Sequence, residues 1–261
     1  MPRYEPFDWY QSPLYYDLVF DSTSAQEADF LEAVHEHYGL SRGRRCLEPA
    51  CGSGRLIAEM SRRGYEVAGF DSSPSMLRFA RKRLQRARLR AQLTNARMES
   101  FSVGRRYHLM HCLVNTFKYL LNEDAARAHL QRVAAALVPG GIYVLGLHLT
   151  DYMDRRRRRE RWSASRNGLS IVCNIQSWPA DRRRRTERLR ARLIVRDRSG
   201  ERRYETEWVL RTYSLRQLKS LLRSVPQLQV AAVFNFTLDM NSPLRLDGEY
   251  LDNTLILRRR Q

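Results

Sequence analysis

Lysine is nearly absent from a chain that is nonetheless strongly basic. Lys82, Lys118 and Lys219 are the only lysines among 46 Lys and Arg, set against 28 Asp and Glu, for a formal charge of +18 over 261 residues. Such a surface attracts polyanions through counterion release. Arginine usage this one-sided also follows from a GC-rich genome, without selection for phosphate binding. The runs Arg155–Arg159 and Arg182–Arg185 flank or link strand-like segments and read as loops. Cysteine is scarce too: Cys46, Cys51, Cys112 and Cys173 contain no CxxC pair and fit free thiols in a reducing interior. No His, Cys or Asp cluster has metal-ligand spacing, so no metal is expected. No run approaches the roughly 20 apolar residues of a membrane span. The start, "MPRYEPFDWYQSPLYYDLVFD", mixes acids, aromatics and prolines where a secretory signal needs a basic start and an unbroken apolar run. The expectation is a cytoplasmic protein with no membrane partner.

What is present is an alternation of short apolar runs with amphipathic ones. Arg45 to Leu47 leads a first strand, Leu56 to Arg63 a helix and Glu66 to Phe70 a second strand. Pro74 to Leu89 reads as a helix capped by Ser73, with Met76, Leu77, Ala80 and Leu84 near one face. Further on, Tyr107 to Val114 and Ile142 to Leu147 read as buried strands. Glu123 to Leu137 reads as a helix between them, and Pro139 to Gly141 as a turn. The fold class predicted is α/β, a doubly wound Rossmann-like, mostly parallel seven-stranded sheet. After Asp151 the pattern becomes antiparallel: Arg188, Arg190 and Arg192 alternate with Leu189, Ala191 and Leu193. Residues 152–212 are expected as an antiparallel β insertion after the fifth strand, a substrate cover or dimer surface. Residues 1–151 and 213–261 form the Rossmann-like domain.

"CLEPACGSGR" (Cys46–Arg55) takes a strand into a glycine turn and then a helix, which sets bare backbone and N–H groups beside a ligand. The third glycine of a dinucleotide fingerprint is missing, because position 57 is Ile57. The G-K-[ST] ending of a phosphate loop is missing as well, since Arg55 and Leu56 follow Gly54. These absences point to a nucleoside-bearing ligand without a pyrophosphate. Asp71 ends the second strand about 20 residues beyond Gly52, the spacing at which an acid reaches ribose hydroxyls in a βαβ unit.

These residues resemble the class I S-adenosylmethionine-dependent methyltransferases over about residues 48–150. "LEPACGSGR" is similar to the family's first motif, with Glu48 in the acidic position, Gly52 and Gly54 as its last two glycines, and Ala50 in place of the first. "GFDSSPSML" resembles the second motif, and "LVPGGIYVL" the family's turn and fifth strand. The resemblance implies S-adenosylmethionine as cofactor and S-adenosylhomocysteine as product, with Asp71 on the ribose and Ser72 and Met76 near ribose and adenine. It implies further cofactor contacts from Glu48, Ala50, Cys51, Gly52, Gly54 and Arg55. Arg97 stands where an acid beside the adenine amino group is usual, followed by Met98, and a guanidinium cannot accept a hydrogen bond from that group. Cys112, Leu113 and Asn115 fall at the fourth strand's end, where backbone groups of related enzymes face the methionine part.

A methyl sulfonium is already an activated electrophile, so alignment and exclusion of water are the main demands. His148, ending the fifth strand, is the candidate base or substrate ligand. Tyr16, or its neighbour Tyr15, resembles the tyrosine segment that lies over the cofactor in small-molecule methyltransferases. The N-P-P-[YF] sequence tied to base or amide nitrogen methylation is absent; the chain reads "LVNT" there. A small-molecule acceptor, methylated on N or O by a monomer or homodimer, is the expectation. Nucleic acid is a possible but less favoured partner: the alternatives are an RNA or protein methyltransferase using the arginine-rich insertion, and a non-catalytic cofactor-binding module.

Overall fold

The computed structural model describes residues 3–261. A two-residue strand β1 (Glu5–Pro6) precedes helices α1 (Pro13–Phe20) and α2 (Ser24–Tyr38). Strands and helices then alternate through β2 (Arg45–Pro49), α3 (Arg55–Arg62), β3 (Glu66–Asp71), α4 (Pro74–Arg86) and β4 (Ala91–Asn95). The alternation continues through β5 (Tyr107–Cys112), α5 (Glu123–Ala136) and β6 (Leu137–His148). Four strands follow, β7 (Arg158–Arg166), β8 (Leu169–Ser177), β9 (Thr186–Asp197) and β10 (Gly200–Arg211), then α6 (Leu215–Arg223), β11 (Leu228–Phe234) and β12 (Asp252–Arg259).

Local sequence chemistry sets several boundaries. Pro74 occupies the first turn of α4, and the Ser73 hydroxyl accepts from the Met76 N–H. Asn122 caps α5 in the same way, and Ser214 with Gln217 forms a capping box at α6. Strand β6 begins at Leu137, earlier than the apolar run suggests. The Pro139–Gly141 segment expected as a turn is therefore a bend inside the strand, with Gly140 at φ +74°.

The larger sheet has the order β11-β12-β6-β5-β2-β3-β4. Pairing is parallel from β4 to β6, whereas β12 runs antiparallel to both β6 and β11, so the seven strands form a mixed sheet. Its strands alternate between two cores, as pleating requires. On one side Leu47, Met110, Tyr143 and Leu255 pack with α5 and α6; on the other Cys46, Leu109, Val144 and Ile256 pack with α2, α3 and α4. The parallel order reverses between β2 and β5, which makes the carboxyl ends of these strands the topological switch point.

The second sheet has the order β1-β10-β9-β8-β7. It is not built from residues 152–212 alone, since β1 pairs parallel with β10. Ala191, Leu193 and Val195 bury one face of β9 in a third core with Trp9 and Leu18. Arg188, Arg190 and Arg192 take the opposite face. There Arg188 lies over the Trp178 ring, and Arg192 donates to Glu205 at 2.6 Å.

Candidate functional site

After Pro49 the chain has no ladder to follow and turns sharply, with Ala50 at φ +52°, Gly52 at +52° and Gly54 at +71°. The two glycines serve different ends. A Cβ on Gly54 would lie 2.8 Å from the Ala80 Cβ, so bare backbone there lets the loop approach α4. A Cβ on Gly52 would meet nothing within 4 Å, so its bareness keeps open space beside a ligand. Ala50 carries the left-handed conformation with a side chain, which costs roughly 1–2 kcal/mol.

Asp71, at the end of β3, binds the two glycine-motif segments together. Its Oδ2 accepts from the Gly52 N–H at 2.8 Å, and its Oδ1 from the Ser73 N–H at 2.8 Å. Burial raises its pKa, while the Ser73 and Gly52 hydrogen bonds pull it down. Each oxygen accepts once, so lone pairs remain for ligand hydroxyls.

These segments open on a cavity of about 1190 Å³, lined successively by the carboxyl ends of the parallel strands. Ala50 and Gly52 follow β2, Asp71, Ser72 and Met76 follow β3, Met98 follows β4, Asn115 follows β5, and His148 ends β6. The N-terminal segment supplies Trp9, Tyr10 and Tyr16, and the second sheet covers the far side. Val114 at φ +52° and Asn115 at +63° turn the chain at the wall, a strained conformation for a β-branched residue. Gly146 on β6 leaves room for that turn, since a Cβ there would lie 3.1 Å from the Val114 nitrogen. Asn115 Oδ1 then accepts from the His148 N–H at 2.6 Å.

Not every residue singled out from sequence reaches the cavity. Arg97 points to solvent and pairs with Glu99 at 2.5 Å. Arg55 joins α3 to α2 by pairing with Glu27 at 2.8 Å, both side chains largely buried. Gly54 is a packing glycine, as above. Cys51 lies against Gly69 beneath the loop, and Leu113 is buried in the second core. Cys112 sits in the first core with its thiol pushed by burial to about 12, which excludes a thiolate nucleophile. Glu48 lies beneath the loop, its pKa raised well above normal by burial, and its Oε2 has no hydrogen-bond partner among the described residues.

Other wall residues carry no signal in a short window. The Nδ1 of His148 is 2.6 Å from Asp252 Oδ1, across 104 positions of sequence. Tyr10 and Tyr119 join hydroxyls at the wall. Lys118, buried on the cavity side, donates to Glu187 at 2.6 Å. Burial raises the Tyr16 pKa, so its hydroxyl keeps its proton.

The model of the methyltransferase domain matches residues 46–141, from the first strand of the switch point to the start of β6. Residues 46–141 thus match a methyltransferase domain, as the resemblance of the glycine and Asp71 motifs to the class I S-adenosylmethionine-dependent methyltransferases implies. The chain is 29% identical over 134 residues to a dTDP-3-amino-3,6-dideoxy-alpha-D-glucopyranose N,N-dimethyltransferase of Streptomyces fradiae, covering 50% of each chain. It spans about half the length of that curated relative. The likeness in fold extends over more of the chain. An S-adenosylmethionine-dependent methyltransferase from Clostridium acetobutylicum superposes with a TM-score of 0.75 at 17% identity, covering 96% of this chain and 98% of that one. A SAM-bound amino pentose methyltransferase from Micromonospora echinaspora covers both chains completely with a TM-score of 0.70 at 20% identity. The cofactor of this methyltransferase class is S-adenosylmethionine. The open space at Gly52, the half-buried Asp71 carboxylate beside it, and a cavity larger than the roughly 300–1,000 Å³ of a single-ligand pocket leave room for that cofactor.

Proposed function

We propose that the chain is an S-adenosylmethionine-dependent methyltransferase that methylates the nitrogen of a small-molecule amine. The observation that carries this reading is the meeting, in one cavity, of the Gly52–Asp71 cofactor wall and the His148–Asp252 pair. Asp71 would accept from the ribose hydroxyls, Gly52 would lie along the amino-acid tail, and Met76 and Met98 would flank the base. Glu48, Cys51, Gly54, Arg55, Cys112 and Leu113 support the loop and the strand ends from behind. Residues 152–212, with β1, cover the acceptor.

Bound S-adenosylmethionine supplies a methyl group on a sulfonium: the amine lone pair forms the N–C bond as the C–S bond breaks and its electron pair stays on sulfur. An amine that arrives as an ammonium must first lose a proton. Asp252, as a carboxylate, can only accept from His148 Nδ1–H, which leaves the Nε2 lone pair to take that proton. Asn115, bonded to the His148 backbone, fixes where the ring starts. Tyr16, which keeps its proton, acts as wall and donor rather than base. Nitrogen is favoured over oxygen by the amino-sugar N,N-dimethyltransferase among the relatives. An RNA or protein acceptor is disfavoured because the β9 arginines lie on the sheet face away from the cavity, and because Arg156, Arg158, Arg184 and Arg185 are paired with carboxylates.

With methyl-labelled S-adenosylmethionine and a fractionated metabolite extract, the label should appear on an amine. Using that acceptor, His148→Ala should lower kcat by about 10²–10⁴-fold, the scale of general base catalysis, with cofactor affinity unchanged. Asp252→Asn should lower kcat with KM held, and Asp252→Glu should restore part of it. A His148→Ala enzyme at the wild-type rate would remove the base, and a protein that binds no S-adenosylhomocysteine would remove the whole reading.

A further inference from the structure

All four tryptophans of the chain, Trp9, Trp162, Trp178 and Trp208, line the same cavity. Those of the second sheet belong to one face of it: Trp162 on β7 and Trp208 on β10 lie with Ile175, Leu189 and Leu210 along the cavity wall. Leu189 stands directly opposite Trp208 in the β9–β10 register, and Trp208 stacks on Trp9 at 5.3 Å between ring centres. This face brings aromatic and apolar side chains to the cavity, with Glu160 and Glu187 beside them.

The charge of the same cavity opposes that of the molecule. Three of its four cations are already held by its own carboxylates: Lys118 by Glu187, and Arg156 and Arg158 by Asp154. Only Arg78 is left, bonded to the Ser75 hydroxyl. Five wall carboxylates, Asp8, Asp71, Asp151, Glu160 and Asp252, have no Arg or Lys partner among the described residues. In a chain of formal charge +18 the cavity is a net acidic recess. A diphosphate calls for several unpaired Arg or Lys forks, and this wall offers Arg78 alone. Carboxylates at the rim of an aromatic box suit a cation, which gains both from the field and from the tryptophan faces.

We propose that the acceptor is an amine carried on an aromatic or otherwise apolar body, taken up as its cation, and is not a nucleotide-linked compound. This rests on the methyltransferase reading above and narrows its substrate class. The body lies against Leu189, Leu210 and Trp208, and the ammonium enters among the carboxylates. Its proton passes to His148 Nε2 before the nitrogen attacks.

The test is calorimetric titration of the full chain, with and without S-adenosylhomocysteine, using four probes. Phenethylamine carries both features, 3-phenylpropanoate has the ring with the opposite charge, glucosamine has the amine without the apolar body, and thymidine diphosphate stands for a nucleotide-linked acceptor. Phenethylamine should bind at least about tenfold more tightly than each of the others, on the scale of one desolvated cation–π contact. It should also change the tryptophan fluorescence saturably. Glu160→Gln should weaken phenethylamine while leaving S-adenosylhomocysteine affinity unchanged. Phenethylamine that gives no saturable heat, or that binds no better than 3-phenylpropanoate, glucosamine or thymidine diphosphate, would overturn the proposal. If S-adenosylhomocysteine binds throughout, such a result leaves the methyltransferase reading standing. If it does not bind, that reading fails, and the titrations without it still decide the amine preference.

Discussion

Asp71 unites two demands that usually conflict. A carboxylate out of water resists ionisation, and burial does raise its pKa, yet backbone N–H groups of Ser73 and Gly52 oppose that shift. The same bonds shape the loop on which the ligand would rest, so the side chain proposed as the ribose acceptor is also a brace for Gly52. Asp71→Ala should therefore weaken S-adenosylhomocysteine binding by roughly 1–3 kcal/mol, the scale of hydrogen bonds to a charged group. It should also lower the melting temperature, which a pure ligand contact would not do. Unchanged calorimetric affinity in a folded variant would remove the ribose assignment. Asp71 was legible in the sequence because its evidence is local: an acid ends an apolar run at a fixed distance from a glycine turn. Ala50, Val114 and Asn115 are a different case, since nothing in their side chains announces positive φ values. Asp252 was not legible either, because its partner His148 becomes its neighbour only through the β6–β12 ladder.

Among the elements, α1 is tied to three others through a single carboxylate. Asp17, 1% exposed, accepts from the Ser53 hydroxyl of the glycine loop at 2.8 Å, from Arg83 of α4, and from Arg166 of β7 at 3.3 Å. One carboxylate thus joins the N-terminal helix to the cofactor loop, a Rossmann-like helix and the second sheet. Asp21 repeats the pairing to Arg83 and Arg166. Asp17→Asn should cost about 2 kcal/mol, the order of charge-assisted hydrogen bonds lost at a buried site. Because α1 carries Tyr16 at the wall, the variant should also bind S-adenosylhomocysteine more weakly and be cut faster by protease near residues 10–24. Wild-type stability and cutting would show that α1 is held by the third core alone. Elements with period and caps, such as β2, β3, α4 and α6, could be read from sequence. Helices α1 and α2 could not, because the aromatic "PLYYDLVF" and the polar "SAQEADFLEAVHEHY" are decided by what they pack against. Antiparallel strands could be anticipated after Asp151, but not β7, nor that one face of the sheet turns Trp162 and Trp208 toward the cavity.

For the whole molecule, acid is the natural point of failure. The chain is already highly positive, and burial keeps its two fully enclosed histidines uncharged, lowering His129 to about 4 and His111 to about 3. His129 is satisfied in that state, bonded to the Met98 carbonyl at 3.0 Å and to the Tyr143 hydroxyl at 2.8 Å. His111 has no partner on either nitrogen among the described residues and lies 3.9 Å from Glu48, whose own burial favours its protonated form. The signs are opposite. A histidine with a depressed folded pKa is charged in the unfolded chain below its usual 6.5, so its stability contribution is complete above 6.5 and is lost as pH falls toward the folded value. A carboxyl with a raised folded pKa takes up its proton on folding, so its cost near neutrality is relieved as pH falls. The two effects overlap as the pH falls below 6.5, and wild-type denaturation alone cannot separate them. The comparison with His111→Phe can, since Glu48 and the overall charge act in both proteins. Between pH 7 and pH 5 the wild type should lose about 2 kcal/mol more than the variant in urea denaturation, the linkage of one buried neutral histidine. At pH 7 the variant should be close to wild type, because an unpartnered imidazole gives way to an apolar ring of similar size. Parallel losses over the two pH values would mean that His111 is hydrated or paired in solution, and that the interior beneath the glycine loop is more polar than its packing indicates.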